Sequence, residues 1–321
     1  MMKIWSLGDV VVDLLPLEDM QYQACAGGAP ANVAVGVARL GHPSGFVGRV
    51  GNDPFGRFMA ESLAQEGVDC QCIEQDDHYK TSTVIVDLTA SGERSFTFLV
   101  SPSADQFLAL HALPDASAAI LHTCSLALTG KVCRDSLLNI TRQIKQQGGM
   151  VSFDLNLRDQ MWADKQEMYQ LIAEYCTKAD VLKLSEEELF WLTQSSDDSW
   201  SDALARLSDY PAALVVITRG KQGCLVLCQN TIHAFDSYAV TSVDTTGAGD
   251  AFMAGLLVGI AKYGIPRQEN EVLKILSLII SQASACGALS TTHKGAWAAL
   301  PNPNQLQHFL SIQGMLKPGT R

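Results

Sequence analysis

The sequence predicts an α/β fold built on a mostly parallel sheet. Three observations carry that expectation. From about Ala118 onward, short apolar runs alternate with longer runs of helical spacing, the pattern of parallel strands joined by crossover helices. Before that point, Thr81 to Val100 has the alternation, the β-branched and aromatic residues and the Ser91-Gly92 turn of a hairpin. The chain has 321 residues, 47% of them hydrophobic, enough to bury a large core as one large α/β unit or two smaller ones.

Taken in order, Ile4 to Leu15 reads as a strand, a Gly8-Asp9 break and a second apolar run ending near Asp13. Cys25 to Pro30 is a Gly-rich turn, and 32–40 is a helix ended by Gly41. A short strand at 46–50 precedes a helix over 53–66 that closes at Gly67. After the hairpin, strands are expected at 119–124, 150–154, 181–184, 213–218, 223–228 and 231–236. Helices are expected at 135–147, 165–177, 185–192, 200–208, 249–263 and 270–288. No repeat or low-complexity tract interrupts the pattern, and the tail after Lys317 is expected to fray.

Lys and Arg number 23 against 34 Asp and Glu, a net charge of −11. An acidic surface disfavours nucleic acid and anionic membranes as partners, yet backbone donors and a few local cations can still hold phosphate. The nine cysteines form no C-x-x-C pair, and Cys70 and Cys72 have no histidine cluster near them. Reduced thiols and a cytoplasmic location are expected, and a zinc site is not. Met1 to Ser6 enters a strand directly and does not resemble a signal peptide. No run reaches membrane-spanning length without polar interruption, so no transmembrane helix is expected.

Asp244-Thr-Thr-Gly-Ala-Gly-Asp-Ala-Phe252 is the most informative string, and the apolar run behind it, Met253 to Ala261, reads as a buried helix. Gly247, Ala248 and Gly249 leave the backbone uncovered where a loop becomes a helix. N–H groups there, reinforced by the helix dipole, form an anion hole. Asp250 stands in the first turn beside it. An anion hole with an adjacent carboxylate suits phosphoryl transfer to a hydroxyl: the donors hold phosphoryl charge and the carboxylate accepts the proton. Capping is the competing reading of such an Asp. Neither a G-x-x-x-x-G-K-S/T loop nor a G-x-G-x-x-G after a strand occurs, which excludes the P-loop and argues against a dinucleotide fold.

Other segments supply companions. Gly27-Gly28-Ala-Pro-Ala-Asn32 opens a helix, and Asn32 is either a cap or a partner for hydroxyls. Asp13, at a strand end, is either a turn residue or an acceptor for two hydroxyls of a polyol. Asn156 and Arg158 follow a strand, where polar groups of parallel sheets reach the ligand crevice, although a surface arginine reads the same way. Lys183-Leu-Ser185-Glu-Glu-Glu188 contains a capping box, and Glu188 can also orient water on Mg²⁺. Thr218-Arg-Gly220-Lys-Gln-Gly223 is either a plain turn or a phosphate contact.

In chain order these pieces resemble the ribokinase-like, or PfkB, sugar kinase family over essentially residues 3 to 310. Two motifs carry the resemblance: the Gly-Gly…Asn segment from Ala26 to Gly41, and the Asp244–Phe252 string. Within the family the chain looks most like bacterial fructokinases, and next like aminoimidazole riboside kinase. The shared details are Gly92-Glu-Arg-Ser-Phe-Thr-Phe98, Ala104-Asp105, Asp154-Leu-Asn-Leu-Arg158 with Trp162, and Lys294-Gly295; Pro30 is the fructokinase-like one. The resemblance implies a single domain over residues 1–321, a three-layer α/β/α sandwich with a small β-sheet lid from parts of 9–25 and 81–100. It implies ATP, Mg²⁺ and K⁺ as cofactors, a sugar as substrate and a homodimer through the lid as the mode of assembly to look for. By resemblance Asp250 is the base and Gly247, Ala248 and Gly249 the anion hole. Asp13, Gly28, Asn32, Phe98 and Arg158 hold the sugar. Lys183, Ser185, Glu188, Thr218, Gly220 and Gly223 line the ATP side. Carbonyls of Asp244, Thr246, Ser290, His293 and Gly295 surround a monovalent cation.

Two departures stand out. Ser185 replaces the family's frequent Asn, which bears on Mg²⁺ handling, and Ser101-Pro102-Ser103 changes the expected substrate rim. D-fructose is the expected acceptor. An aminoimidazole riboside kinase, a sugar-phosphate kinase and a sugar sensor without catalysis are the alternatives; the last is opposed by the intact Gly-Ala-Gly-Asp250, and a sugar-phosphate kinase by the scarcity of cations near the sugar segments apart from Arg158.

Overall fold

The structure is a computed structural model and describes residues 1–88, 94–196 and 199–314. The chain opens on β1 (Ile4–Leu7), fully buried, and leaves the sheet through Gly8-Asp9. β2 (Val11–Pro16) and β3 (Tyr22–Gly27) pair antiparallel. α1 (Ala29–Arg39) returns the chain to β4 (Ser44–Gly51), parallel to β1, and α2 (Pro54–Gln65) leads to β5 (Asp69–Asp76). β6 (Ser82–Leu88) and β7 (Arg94–Phe98) form the hairpin. Then β8 (Ile120–Cys124), α3 (Lys131–Gln146), β9 (Met150–Asp154), α4 (Lys165–Cys176) and β10 (Val181–Ser185) alternate. α5 (Glu186–Thr193), α6 (Trp200–Arg206), β11 (Leu214–Thr218), β12 (Cys224–Cys228) and β13 (Thr231–Phe235) follow. The chain continues through α7 (Ala248–Tyr263), α8 (Glu269–Ser290) and α9 (Pro303–Gln313).

Among the described residues, nine strands form one sheet in the order β13-β12-β11-β10-β9-β8-β1-β4-β5, parallel from β5 to β11. β3-β2-β6-β7 form a second, smaller sheet. The period-2 geometry of strands sends alternate residues to opposite faces. Trp5 and Leu7, Leu182 and Leu184, and Val215 and Ile217 join the core under α3 to α6. Ile4, Val181, Leu214 and Val216 join the core under α7 and α8. The predicted three layers follow directly from this alternation. α8 is long and apolar enough to cross a membrane by composition, but here it buries Val272, Leu276, Ile279 and Ile280 in the layer it shares with α7.

Four elements differ from the sequence reading. β3 takes Cys25 to Gly27, read as part of a Gly-rich turn, into the small sheet, because they pair with Asp13 to Val11 of β2. β5 was not anticipated: Asp69-Cys-Gln-Cys-Ile-Glu-Gln-Asp76 is polar because it lies at the sheet edge, where only part of each face is covered. α9 was not anticipated either, because only Leu306 of its residues is buried. Its capping box, Asn302 with Gln305, was legible. α1 begins at Ala29, three residues before Asn32, because Pro30 fits the first turn. Gly28 precedes it at φ 100°, where a Cβ would stand 2.7 Å from the Asp9 carbonyl oxygen. The approach of the β1–β2 connection therefore demands glycine there. The Ser91-Gly92 turn, Glu93 and the tail after Lys317 lie outside the described residues.

β1 pairs with β8 on one side and β4 on the other, so the strand order reverses about it. In open parallel sheets, ligands bind outside the carboxyl ends of strands at such a reversal.

Candidate active site

The first turn of α7 reaches that reversal point. Gly247 occupies the position before the helix at φ 73°, a left-handed conformation open to glycine at no cost. No side chain caps the turn; the Ala248 N–H donates to the Thr245 carbonyl at 3.2 Å, while the Gly247 and Gly249 N–H groups have no partner among the described residues and are open to an acceptor. A Cβ on Gly249 would meet only Lys183 Nζ, at 3.5 Å. The ammonium thus lies beside the open backbone of the turn, and backbone and cation can share one anion.

Lys183 and Asp154 come from adjacent strands and are nearly water-free, at 6% and 2% exposure. Their bond is bidentate, with Nζ donating to Oδ1 at 2.9 Å and Oδ2 at 2.7 Å. Burial works against the Lys183 charge, but Asp154, Glu188 and Asp250 outweigh it and hold the ammonium above its ordinary pKa. Glu188 forms the expected capping box: Oε2 accepts from Ser185 N–H at 2.8 Å and Ser185 Oγ accepts from Glu188 N–H at 3.2 Å. Its Oε1 accepts from Leu157 N–H at 2.8 Å, tying the loop that carries Asn156 and Arg158 to α5. Burial, then Asp154, raise the Glu188 pKa.

Asp250 opens onto the cleft from α7. Its Oδ2 accepts from Asn32 Nδ2 at 2.6 Å. Desolvation lifts its pKa to about 6; the Asn32 bond and the charges of Lys183 and Arg158 pull the other way. The carboxylate is therefore poised between acid and base near neutrality, as a general base needs to be. Asp244 ties two loops: Oδ1 accepts from Thr246 N–H and Oγ1 at 3.0 and 2.8 Å, and Oδ2 from Gly295 N–H at 2.9 Å. The Thr246, His293 and Gly295 carbonyls accept no hydrogen bond among the described residues. Ser290 is buried, with its hydroxyl on the Gly287 carbonyl at 2.8 Å.

Two contiguous cavities meet at Ala248 and Gly249. One, ≈ 1140 Å³, is lined by Asp154, Arg158, Lys183, Glu188, Asp250 and Lys294, with Leu15 and Val86 of the small sheet at its rim. The other, ≈ 570 Å³, is more apolar, with Tyr238, Val240, Phe252 and Ala288 among its walls, and includes Thr218, Gly220 and Gly223. Asp13 stands on β2 opposite Cys25, and Phe98 ends β7 opposite Val84, partly exposed. The sequence-selected residues thus divide between one cleft at the strand ends and the small sheet beside it.

Sequence reasoning passed over Asp9 and Trp297. Asp9 is 6% exposed in the β1–β2 connection, and burial, then Asp105, raise its pKa to about 7. Its signal was a charge at the end of an apolar strand. Trp297 donates its indole N–H to Asn32 Oδ1 at 2.7 Å, a long-range contact with no local signal.

The raised Asp9 pKa makes a stability prediction. The unfolded chain ionises this carboxyl near its ordinary 3.8, while the folded protein retains the proton up to about 7. Between those values the folded state binds more protons, so Asp9's contribution falls as pH rises. The unfolding free energy of Asp9→Asn relative to wild type should therefore shift in the variant's favour between about pH 4 and about pH 8. Urea unfolding across that interval measures it; a difference independent of pH would mean that Asp9 ionises normally.

Residues 1–303 match the model of the pfkB family of carbohydrate kinases. A fructokinase of Klebsiella pneumoniae is 49% identical over 310 residues, covering 96% of this chain and 99% of its own. A double-mutant fructokinase of Vibrio cholerae O395, solved with fructose, ADP and potassium ion, superposes with a TM-score of 0.88 at 46% identity, covering 97% of this chain and 98% of that one. Aminoimidazole riboside kinase of Salmonella enterica, solved with its riboside and an ATP analogue, superposes at 0.86 with 36% identity, covering 96% and 99%. With the open α7 turn, its neighbouring Lys183 and Asp250 at the strand reversal, these matches establish that the chain belongs to the pfkB family of carbohydrate kinases.

Proposed function

We propose that the chain is an ATP-dependent fructokinase in which Asp250 is the general base. The observation that carries this reading is the position of Asp250 beside the uncapped first turn of α7, where the two cavities meet. The acceptor hydroxyl lies against Asp250, which takes its proton as the oxygen attacks the γ-phosphorus in line. The N–H groups around Gly247, Ala248 and Gly249, with Lys183, hold the charge of the transferring phosphoryl. The apolar cavity takes the nucleotide base, and Thr218, Gly220 and Gly223 border the nucleotide. Asp13, Asn32 and Arg158 meet sugar hydroxyls, with Gly28 giving close approach and Phe98 packing on the ring. The small sheet covers the sugar and excludes water.

Both oxygens of Glu188 already accept backbone N–H groups. That fits Mg²⁺ held mainly by nucleotide phosphates and water, with Glu188 and Ser185 contributing through water; when bound, the ion neutralises phosphate charge. The unengaged carbonyls of Thr246, His293 and Gly295, with Asp244 and Ser290 beside them, suit a large monovalent cation such as K⁺. Fructose is favoured over the riboside by the fructose-bound relative, by Pro30, and by a sugar site of hydroxyl partners. Such a site rejects analogues that leave its groups unpaired.

ADP release measured over fructose, ribose, glucose and aminoimidazole riboside tests the assignment. Fructose should give the highest kcat/KM; a higher value for the riboside would overturn the substrate and leave the mechanism standing. Asp250→Asn should lower kcat by about 10²–10⁴, the usual worth of a general base, and change the fructose KM much less. Near-normal turnover in the folded variant would remove Asp250 from the chemistry. K⁺ should activate relative to Na⁺ or Li⁺ by holding the 244–250 loop in its anion-binding shape; equal rates in K⁺ and a bulky organic cation would refute the cation site.

A further inference from the structure

Three residues from separate parts of the chain form a hydrogen-bonded relay. Trp297, after α8, donates to Asn32 Oδ1 at 2.7 Å, and Asn32, in the first turns of α1, donates from Nδ2 to Asp250 Oδ2 at 2.6 Å. Trp297 is 9% and Asn32 6% exposed. The tryptophan is itself anchored: Arg39 donates to the Trp297 carbonyl and, at 3.2 Å, to that of Leu300, while two further hydrogen bonds of 2.6 Å hold the same guanidinium to Glu66.

We propose that Trp297 is a positioning residue for phosphoryl transfer: by fixing the direction of the Asn32 amide, it keeps Asp250 ready to take the proton of the acceptor hydroxyl. This rests on the reading of Asp250 as the base. An indole N–H only donates, so the Asn32 atom facing it must be the oxygen, and the NH₂ is turned toward Asp250. The reversed amide would set donor against donor. Asn32 therefore cannot turn to accept from a protonated Asp250, and it pairs best with the charged form. The relay occupies Oδ2 and leaves Oδ1 for the substrate. A Cβ on Gly247 would lie 3.9 Å from the same Asn32 nitrogen and 3.3 Å from Ala296, so the relay also borders the anion hole.

The charged and titratable groups facing Asp250 are Asp154 on β9, Lys183 on β10, Arg158 in the loop after β9, Asp9 after β1 and Cys124 on β8. Trp297→Phe changes none of them and keeps an aromatic ring. Its kcat/KM for fructose should lose activity on the acid side at a pH higher by about 0.5–1 unit, the scale of one charge-assisted hydrogen bond, with the fructose KM at alkaline pH little changed. Site-specific replacement of Trp297 by 3-benzothienylalanine, which keeps the bicyclic shape without the N–H, should shift the profile equally and carries the test if the Phe variant does not fold. Replacement by 5-fluorotryptophan, which keeps the donor, should restore the wild-type profile. Carbon-13 titration of the Asp250 carboxyl, assigned by its loss in Asp250→Asn, should show the same displacement without turnover. Wild-type profiles and titrations in the donor-less forms would overturn the relay, including when those forms are merely less stable. Near-normal turnover of Asp250→Asn would instead overturn the base assignment beneath it.

Discussion

The first turn of α7 ends without a side-chain cap, and much of the molecule is arranged around that unfilled end. The helix is buried over most of its length, among residues such as Met253, Leu256 and Ile260, so it cannot tilt away to solvate its N-terminus. The N–H groups of Gly247 and Gly249, which have no partner among the described residues, favour an anion over water. Three devices keep the turn in place. Gly247 takes the left-handed conformation that admits the helix. Asp244 clamps the preceding loop to Gly295. Asn32 reaches from α1 to Asp250. Gly295 and Asn32 are 51 positions from Asp244 and 218 from Asp250 in the chain, so the anion hole is a property of the assembled fold.

Charge in the cleft is balanced locally although the chain carries −11 overall. Asp9, Asp154, Glu188 and Asp250 would together repel a nucleotide. Lys183 offsets them from inside the sheet, on the strand face that otherwise carries apolar Val181 toward α7. A lysine there would be costly if unpaired. Asp154 removes that cost by a bidentate bond, and the ammonium stays charged next to the open helix end. The shifts are divided accordingly: Asp9 rises to about 7 and Asp250 to about 6, while Lys183 moves up. Desolvation thus raises both carboxylates above their ordinary value, while Lys183 keeps its charge through its carboxylate neighbours.

The parallel sheet was legible because each strand from β8 to β11 is a short apolar run between helices of amphipathic spacing, and local periodicity is a physical consequence of facing two cores. β5 escaped because an edge strand is only partly covered, and α9 because a helix burying one leucine leaves almost no apolar stripe. In both cases the stabilising neighbour lies elsewhere in the chain, and a window of sequence does not contain it.

The site divides in the same way. The sequence by itself determined the chemistry available at the head of α7: Gly-Ala-Gly followed by Asp250 before an apolar run prescribes an open helix end with a carboxylate, since glycine conformation and helix termini are local matters. It also determined the Ser185–Glu188 capping box, whose partners are three residues apart. Only the tertiary structure decided which groups surround that carboxylate. Asn32 is 218 positions from Asp250, and Trp297 is 265 from Asn32; Lys183 meets Asp154 because β9 and β10 are neighbours in the sheet. Desolvation and long-range hydrogen bonds set the ionisation of Asp9 and Asp250, and both depend on what the fold packs against them rather than on what precedes or follows them in the chain.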